Sequence, residues 1–290
     1  MRMMIFGAGF SGLAIARTLA GECNFAGGTT RSAERFAALQ GAGLTPFIYQ
    51  GGNPGEELST ALSEITHLVM SIAPDTGGDP LLDAFAGGLR PSMPKLEWIG
   101  YLSTVGVYGD HAGDWVDEGT ACKPVSRRSI ARLAAEDGWT RLAAEAEVPV
   151  AIIRLSGIYG PGRNALKTLS EGKARRLIKP GQVFNRIHVA DIGGATALLA
   201  RQRLGGIYNV TDDMPAPPQD VVSEAARIMR VEPPAEMDFE TADLSPMARS
   251  FYGENKRVAN ARIKEAGYSF MYPDYVTGLS ALYRDGTWKG

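Results

Sequence analysis

The feature of the sequence that most constrains its fold is a glycine-rich turn that directly follows an apolar run. Residues Arg2–Phe6 have the apolar character of a buried strand, and Ser11–Ala20 has the periodicity of a helix. Between them stands Gly7-Ala8-Gly9-Phe10-Ser11-Gly12. In such a turn the first glycine permits a tight bend, the second lets a pyrophosphate approach the backbone, and the third lets the helix pack closely on the strand. We therefore predict that a dinucleotide is bound at the helix N-terminus by Gly7, Gly9, Phe10, Ser11 and Gly12. The alternative is a glycine-rich turn without a ligand.

Further short apolar runs alternate with helix-period segments through the first half of the chain. The predicted strands are Cys23–Gly28, Leu44–Tyr49, His67–Ile72, Leu96–Leu102 and Val150–Leu155. The predicted helices are Ala33–Gln40, Asp79–Leu89 (with Asp79 as its N-cap) and Arg127–Glu147. Continuous apolar strands that alternate with helices are typical of parallel sheets buried on both faces. The predicted fold is α/β, a doubly wound parallel Rossmann sheet with helices on both faces and a small C-terminal substrate lobe.

The pattern loosens after Leu155. We expect a loop at Gly157–Gly162 and one more strand of the same sheet at Ile207–Val210. Later helices are predicted at Ala165–Glu171, Val189–Gln202, Gln219–Met229, Asn260–Ala266 and Tyr275–Tyr283. This organisation predicts a dinucleotide-binding domain over residues 1–160, its sheet completed by 186–210, and a substrate lobe built from 161–185 and 211–290.

The composition argues against several classes of function. The chain of 290 residues has 30 Lys and Arg against 32 Asp and Glu, a net charge of −2, whereas nucleic-acid-binding domains are usually clearly basic. Neither the two cysteines nor the three histidines have the spacing of a metal site, so no metal is predicted. No apolar run approaches the ~18 residues of a membrane span. We therefore expect a cytoplasmic protein that acts on a small molecule, with no nucleic-acid partner and no membrane association.

The end of the second predicted strand indicates which dinucleotide is preferred. A carboxylate there would bind the ribose 2′-hydroxyl of NAD, but the segment Gly27-Gly28-Thr29-Thr30-Arg31-Ser32 has none. Arg31 could pair with the 2′-phosphate of NADP, and Thr30 and Ser32 offer hydroxyl groups. We predict NADP, with NAD less favoured, although Arg31 could be a solvated loop cation and Ser32 a simple helix cap. After the fourth strand, the nicotinamide ribose is expected to lie along Ile72, Ala73 and Pro74.

Four further segments carry a resemblance to a known family. They are Leu102–Asp110, Arg154–Arg163, Asn185–Asp191 and Gly206–Val210. In this order they resemble the strand-five, strand-six, lobe-return and last-strand segments of the extended short-chain dehydrogenase/reductase superfamily, the NAD-dependent epimerase/dehydratase group. The resemblance implies a Rossmann fold, a nicotinamide cofactor and a carbonyl or nucleotide-sugar substrate. It also implies a possible homodimer, formed through the helices that flank the active-site strand.

The chemistry of that family depends on a Tyr-x-x-x-Lys pair on the long helix and a hydroxyl on the fifth strand. Thr104 occupies the hydroxyl position, but the helix register places Arg128 where the tyrosine stands and Arg132 where the lysine stands. An arginine does not act as a general acid or base near neutral pH. We therefore consider these two arginines as clamps for a substrate anion, or as structural residues. Tyr108 is the alternative proton donor to inspect first, although it could equally pack beneath its glycine loop.

Two hypotheses for function follow from this departure. In the nucleotide-sugar 4,6-dehydratases an Asp-Glu pair follows the threonine, whereas this chain has Val105-Gly106. The chain thus resembles the atypical branch of the superfamily. The first hypothesis is an NADP-binding oxidoreductase or epimerase-like enzyme with a non-standard proton donor. The alternative is a non-catalytic NADP-binding sensor or regulatory protein.

Overall fold

The computed structural model describes residues 1–75 and 77–290. Its strands are β1 (Arg2–Phe6), β2 (Phe25–Thr30), β3 (Thr45–Ile48), β4 (His67–Met70), β5 (Trp98–Thr104), β6 (Trp115–Val116), β7 (Val150–Leu155), β8 (Gly157–Tyr159), β9 (Arg176–Ile178), β10 (Arg186–His188), β11 (Gly206–Val210), β12 (Glu236–Asp238) and β13 (Arg257–Val258). Its helices are α1 (Phe10–Leu19), α2 (Phe36–Gln40), α3 (Glu56–Leu62), α4 (Pro80–Ala84), α5 (Arg127–Glu145), α6 (Ala165–Ser170), α7 (Val189–Gln202), α8 (Pro218–Met229), α9 (Pro246–Phe251), α10 (Ala261–Glu265) and α11 (Tyr275–Arg284). Among the helices of these ranges, none combines the length and the apolar character needed to cross a membrane.

Seven strands form one parallel sheet in the order β11-β7-β5-β4-β1-β2-β3. The chain runs outward from β1 to β3 and then returns to the other side of β1 with β4. The strand order therefore reverses between β1 and β4, where ligands of such sheets bind beyond the carboxyl ends of the strands. This arrangement confirms the predicted fold class and the predicted place of the last strand, β11, in the same sheet.

The core lies on both faces of the sheet. On the face covered by α1 and α7, Ile5, Ile15 and Ile192 are fully buried. On the face covered by α4 and α5, Phe85 and Trp139 are fully buried. Each such side chain contributes about 1.5–3 kcal/mol when it leaves water. The two layers fix the carboxyl ends of β1, β4 and β5 relative to each other, and these ends carry the candidate site.

Smaller elements lie outside the central sheet. β8 pairs with β10, and β9 pairs with β12. Helices α6, α8 and α11 pack around Leu166, Val221 and Leu279. The carboxylate of Asp191 on α7 accepts hydrogen bonds from the Tyr268 hydroxyl at 2.8 Å and from two backbone amides of the 271–272 segment at 2.7 and 3.1 Å. This buried carboxylate attaches the C-terminal chain to the central sheet.

Several predicted elements differ from the observed ones. β2 continues to Thr30 rather than ending at Gly28, because Gly27 and Gly28 lie inside the strand. A methyl group on Gly27 would lie 2.7 Å from Met4 Cε, and one on Gly28 would lie 2.7 Å from Leu44 Cδ1. These glycines are therefore packing positions rather than turn signals.

Other elements also depart from prediction. Helix α4 begins at Pro80, capped by the Asp79 side chain as predicted, but it ends at Ala84 before the Gly87-Gly88 turn. Helix α3 was not predicted, and the predicted loop at Gly157–Gly162 contains strand β8.

Candidate functional site

The glycine turn between β1 and α1 has a backbone that requires its first glycine. Gly7 has φ +77°, and a methyl group there would lie 2.8 Å from Ile72 Cγ1. The Gly7 amide donates to Thr29 Oγ1 at 2.9 Å, and the Ala8 amide donates to the Thr29 carbonyl oxygen at 2.9 Å. Thr29 thus fastens the turn to β2. Sequence reasoning missed this residue, because its neighbours Thr30 and Arg31 carried the argument about cofactor choice.

The second and third glycines of the turn have different surroundings. A methyl group on Gly9 would meet no protein atom nearer than the Gly7 carbonyl oxygen at 3.8 Å, so space remains open above the turn. A methyl group on Gly12 would lie 3.1 Å from Ile5 Cγ2, where α1 packs on β1. Because the first amides of a helix have no partner within it, this open space faces free N–H donors. The geometry fits a pyrophosphate cradle.

Phe10 and Ser11 lie in the first turn of α1. The Phe10 ring faces the segment after β8: its Cζ atom would lie 3.3 Å from a methyl group on Gly160, and the Arg163 guanidinium lies 6.0 Å from its centroid. Ser11 is buried at 8% exposure. The turn therefore meets the β8–α6 segment across the crevice, and Phe10 forms part of the wall between them.

The end of β2 presents the residues predicted to select the cofactor. Arg31 is exposed, and within the described ranges its guanidinium has no hydrogen-bond or ion-pair partner. Its backbone carbonyl oxygen accepts a hydrogen bond from Gln50 Nε2 at 2.9 Å, which orients the loop. Ser32 Oγ accepts from the Glu34 amide at 3.3 Å, so this hydroxyl caps the following turn, as the alternative interpretation expected. Thr30 Oγ1 lies 3.4 Å from the Ser32 amide and the Ser32 carbonyl oxygen.

The segment after β4 lies opposite the glycine turn. The Ser71 amide donates to the Phe6 carbonyl oxygen at 2.8 Å, which extends the pairing of β4 with β1 by one residue. Ile72 then contacts the Gly7 position, Ala73 is exposed, and Pro74 is buried. The three residues form one edge of the crevice, where the predicted contacts to a nicotinamide ribose would be made.

Two hydroxyl groups lie at the carboxyl end of β5. Thr104 Oγ1 accepts a hydrogen bond from the Gly106 amide at 3.1 Å, which leaves its hydrogen free to donate. A methyl group on Gly106 would lie 3.4 Å from Thr104 Oγ1 and 2.9 Å from Ser129 Oγ. Both hydroxyls therefore lie against Gly106. Sequence reasoning did not single out Ser129 on α5, because only the fold brings it beside Thr104.

Tyr108 is placed differently from the predicted proton donor. Its side chain is 0% exposed, and its hydroxyl donates to Asn209 Oδ1 at 2.8 Å. The Arg154 guanidinium lies 4.8 Å from its ring centroid, and burial raises the pKa of the phenol above its usual value. A buried phenol whose proton is already donated to an amide oxygen is poorly placed to protonate a substrate. This geometry favours the packing alternative for Tyr108.

The two arginines at the predicted catalytic-pair positions of α5 have different environments. Arg128 is exposed and has no hydrogen-bond or ion-pair partner in the described part of the chain. Arg132 is half-buried, and its Nη1 donates to the Leu102 carbonyl oxygen at 3.0 Å and to the Tyr101 hydroxyl at 3.1 Å. Arg132 thus attaches α5 to β5, whereas Arg128 remains available to an anion.

A Tyr-x-x-x-Lys spacing does occur in this chain, but outside α5. Tyr252 and Lys256 follow α9, in a turn rather than on one helical face. Lys256 is buried, and its Nζ donates to the Gly109 carbonyl oxygen and to Glu254 Oε2, both at 2.7 Å. The pair is therefore not arranged as it is on the family's helix, and the predicted absence of such a pair holds only for the long helix.

A buried ion pair supports the α5 side of the site. Glu136 Oε2 lies 2.7 Å from Arg154 Nη2, with both side chains 4% exposed, and Ser103 Oγ donates to the same carboxylate. The three groups come from α5, β7 and β5. The hydrogen bond from Ser103 to Glu136 links the strand that carries Thr104 to the helix that carries Ser129, so this cluster positions the two hydroxyls relative to each other.

Together these features define a Rossmann-type dinucleotide-binding protein whose crevice is bordered by the hydroxyls at the end of β5. Residues 94–211 match the model of the NAD dependent epimerase/dehydratase family. The matched region contains β5, α5 and β7 to β11 but not the glycine turn. This match and the glycine turn together support a nicotinamide dinucleotide as the class of cofactor and an epimerase/dehydratase-like enzyme as the class of function.

Solved structures extend the comparison to the whole chain. A conserved protein of unknown function from Silicibacter pomeroyi is 44% identical, with 98% of each chain covered and a TM-score of 0.91. A putative NAD-dependent epimerase/dehydratase from Methylobacillus flagellatus is 27% identical, with 98% of each chain covered and a TM-score of 0.73. The human epimerase family protein SDR39U1, solved with NADPH, has the same fold: it is 16% identical, covers 98% of this chain and 100% of its own, and has a TM-score of 0.76. No curated protein matches the chain.

Proposed function

We propose that this protein is an NADP-dependent oxidoreductase or epimerase-like enzyme that acts on a small carbonyl compound. The observation that carries the proposal is the crevice itself. The space above Gly9 is open, the described residues offer Arg31 no partner for its guanidinium, and the end of β2 has no carboxylate. Gly9 and the first amides of α1 would hold the pyrophosphate, and Arg31 would pair with the 2′-phosphate. Ile72 to Pro74 would line the nicotinamide ribose. Solved proteins of this fold hold either NADPH or NAD, so the choice of NADP depends on Arg31.

The reacting oxygen would lie at the carboxyl end of β5. When bound, the nicotinamide supplies hydride exchange with a carbon atom. The Thr104 hydroxyl, whose hydrogen is free, would donate to the substrate oxygen, and Ser129 would lie beside it. Arg128 would attract a negatively charged part of the substrate. Since neither arginine of α5 transfers protons near neutral pH, the proton would come from a non-standard donor, for example a water molecule.

The test is NADPH oxidation with a panel of aldehydes, ketones and nucleotide sugars, followed at the absorbance of the reduced nicotinamide. Removal of a donor to a reacting oxygen typically lowers turnover by ~10²–10³. We therefore expect Thr104→Val to lower turnover by that factor and to leave NADPH affinity almost unchanged. Thr60→Val, on the exposed face of α3, is the matched control and should keep full activity. Equal turnover in Thr104→Val and wild type would refute the role of Thr104.

A non-catalytic NADP-binding sensor is the second candidate. It is favoured by the arginines at both positions of the α5 pair and by the engaged hydroxyl of Tyr108. A wild-type protein that binds NADPH but is inert across the panel would support it. The double substitution Arg128→Tyr with Arg132→Lys should then create a weak reductase, whereas under the enzyme proposal it should not improve the native reaction.

A further inference from the structure

A cavity of about 280 Å³ lies between the β8–β10 pair and helices α6, α8 and α11. We call it the lobe cavity. Its walls are largely apolar and aromatic, with Phe184, Val221, Tyr275 and Leu279 among them, and Arg186 is the one charged residue among the described residues that line it. Its volume is near the lower end of the range for small-molecule sites, about 300–1,000 Å³. An apolar pocket with a single cation predicts a small ligand with one negative charge.

The protein itself fixes the orientation of the Arg186 guanidinium. Nη1 donates to the Phe184 carbonyl oxygen at 2.8 Å and to the Ala216 carbonyl oxygen at 3.1 Å, which uses both of its hydrogens. The Tyr275 ring lies 5.7 Å from the guanidinium carbon. Nε and Nη2 donate to no described residue, and Arg186 forms no ion pair with any described carboxylate. The free edge of the guanidinium is thus the two-donor edge that binds a carboxylate in bidentate fashion.

Asp212 interacts electrostatically with Arg186 but forms no ion pair with it. The Asp212 amide donates to the Arg186 carbonyl oxygen at 2.7 Å, but the Asp212 side chain is buried and turned to the Met214 amide. Burial raises the pKa of Asp212 to about 8, which disfavours its charged form, although the Arg186 cation opposes this shift. A half-buried guanidinium without an anion is costly, and a bound anion would remove that cost.

The charge balance distinguishes a carboxylate from a phosphate. One guanidinium neutralises one carboxylate completely. A phosphate monoester carries a charge of about −1.5 to −2 at pH 7, so it would leave excess negative charge against Phe184, Val221 and Leu279. The lobe cavity therefore fits a monocarboxylate with an apolar body.

The position of the cavity relates it to the reacting oxygen. Leu155 of β7 pairs with Thr104 of β5, and Gly157, only two residues further along, lines the cavity. One wall of the cavity therefore begins two residues beyond the strand position that pairs with Thr104. We propose that the lobe cavity binds the carboxylate of a small apolar carboxylic acid through Nε and Nη2 of Arg186. That this acid is the substrate rests on the proposed function; the site itself does not.

The test is calorimetric titration with 3-phenylpropionate, its neutral amide and 2-phenylethyl phosphate, each with and without saturating NADPH. We expect the acid to bind about tenfold or more tightly than the amide, because charge-assisted hydrogen bonds are the stronger ones. We also expect it to bind more tightly than the phosphate. Arg186→Gln should abolish the preference for the acid. Arg175→Gln, an exposed lobe arginine whose guanidinium donates to the Asp243 carbonyl oxygen, should preserve it.

A second variant keeps the test decisive if Arg186→Gln does not fold. Ala165→Leu, at the start of α6, should fill the cavity and weaken binding of the acid with little change in melting temperature. Equal affinity for acid and amide, tighter binding of the phosphate, or undiminished binding in Ala165→Leu would each overturn the proposal. Acid binding without NADPH binding would refute the proposed function alone, whereas NADPH binding without acid binding would refute only the cavity assignment.

Discussion

Substitution of Gly9 by alanine tests the cradle without disturbing the fold. The added methyl group would meet no protein atom within 3.8 Å, but it would project into the space where a pyrophosphate approaches the backbone. Gly9 is the N-cap of α1, with φ −88° and ψ −149°; the negative φ is open to alanine, but the ψ lies outside the broad β region, so we expect a small loss of stability in the absence of NADPH. We therefore expect the variant to fold normally and to lose most of its affinity for NADPH.

The magnitude follows from mass action. At a free NADPH concentration ~100 times the dissociation constant, a ligand that binds only the folded state adds about 2.7 kcal/mol to the free energy of unfolding. For a chain of 290 residues, with an unfolding entropy of about 2.1 cal/mol/K per residue, that is a rise in melting temperature of about 4 °C. Gly9→Ala should retain less than about 2 °C of this rise, while its melting temperature without NADPH should fall by no more than an N-cap change costs, about 1 kcal/mol.

Two comparisons make the result specific. Gly55→Ala is the matched control, because Gly55 also caps a helix and a methyl group there would meet nothing within 4 Å. It should keep the full NADPH-induced rise. Gly12→Ala should instead lower the stability of the unliganded protein by ~1–3 kcal/mol, because its methyl group would press on Ile5 at 3.1 Å. A full NADPH-induced rise in Gly9→Ala, measured by thermal unfolding, would refute the assignment of the phosphate site.

Two further predictions concern stability. Glu136→Gln leaves the buried Arg154 cation without its counter-charge and should lower the free energy of unfolding, measured by urea titration, by about 3 kcal/mol. Glu64→Gln, at the exposed pair with Lys95, is the control and should change it little. Equal losses would contradict this account of the buried pair. His188 is buried, so its pKa falls to about 4, and between this value and the ordinary 6.5 the unfolded chain binds the extra proton. The control variant is His188→Asn, which keeps a helix cap. The difference in unfolding free energy between wild type and this variant should be greatest above pH 6.5 and fall by about 3 kcal/mol toward pH 4. A difference independent of pH would mean that His188 titrates normally.

The sheet and the cofactor turn could be predicted because their signals are local. The apolar run Arg2–Phe6 and the glycines that follow it are consecutive in the chain. The spacing of these glycines alone indicates which one makes the bend, which one leaves room for a ligand and which one lets the helix pack on the strand. The last strand was also predictable, since Ile207–Val210 is a short and mostly apolar run. Where prediction failed, as at Gly27 and Gly28, the glycine served the packing of a side chain from a neighbouring strand.

The chemistry of the site was harder to predict because it depends on contacts between distant segments. Tyr108 was selected for its residue type, but its partner Asn209 comes from the far edge of the sheet and engages the hydroxyl. Ser129 and Arg186 gave no local signal. Ser129 reaches the site only because α5 packs against the end of β5. Arg186 faces a cavity beside three helices only because two backbone carbonyls orient its guanidinium.

The most direct test of the central claim, that the glycine turn and Arg31 hold NADP, is the ratio of the dissociation constants for NADH and NADPH. We expect wild type to bind NADPH about tenfold or more tightly than NADH, because Arg31 pairs with the 2′-phosphate. Arg31→Ala should reduce the ratio to about one by weakening NADPH binding alone, while Arg141→Ala, on the exposed face of α5, should leave the ratio unchanged. Equal affinities in wild type, or an unchanged ratio in Arg31→Ala, would contradict the account.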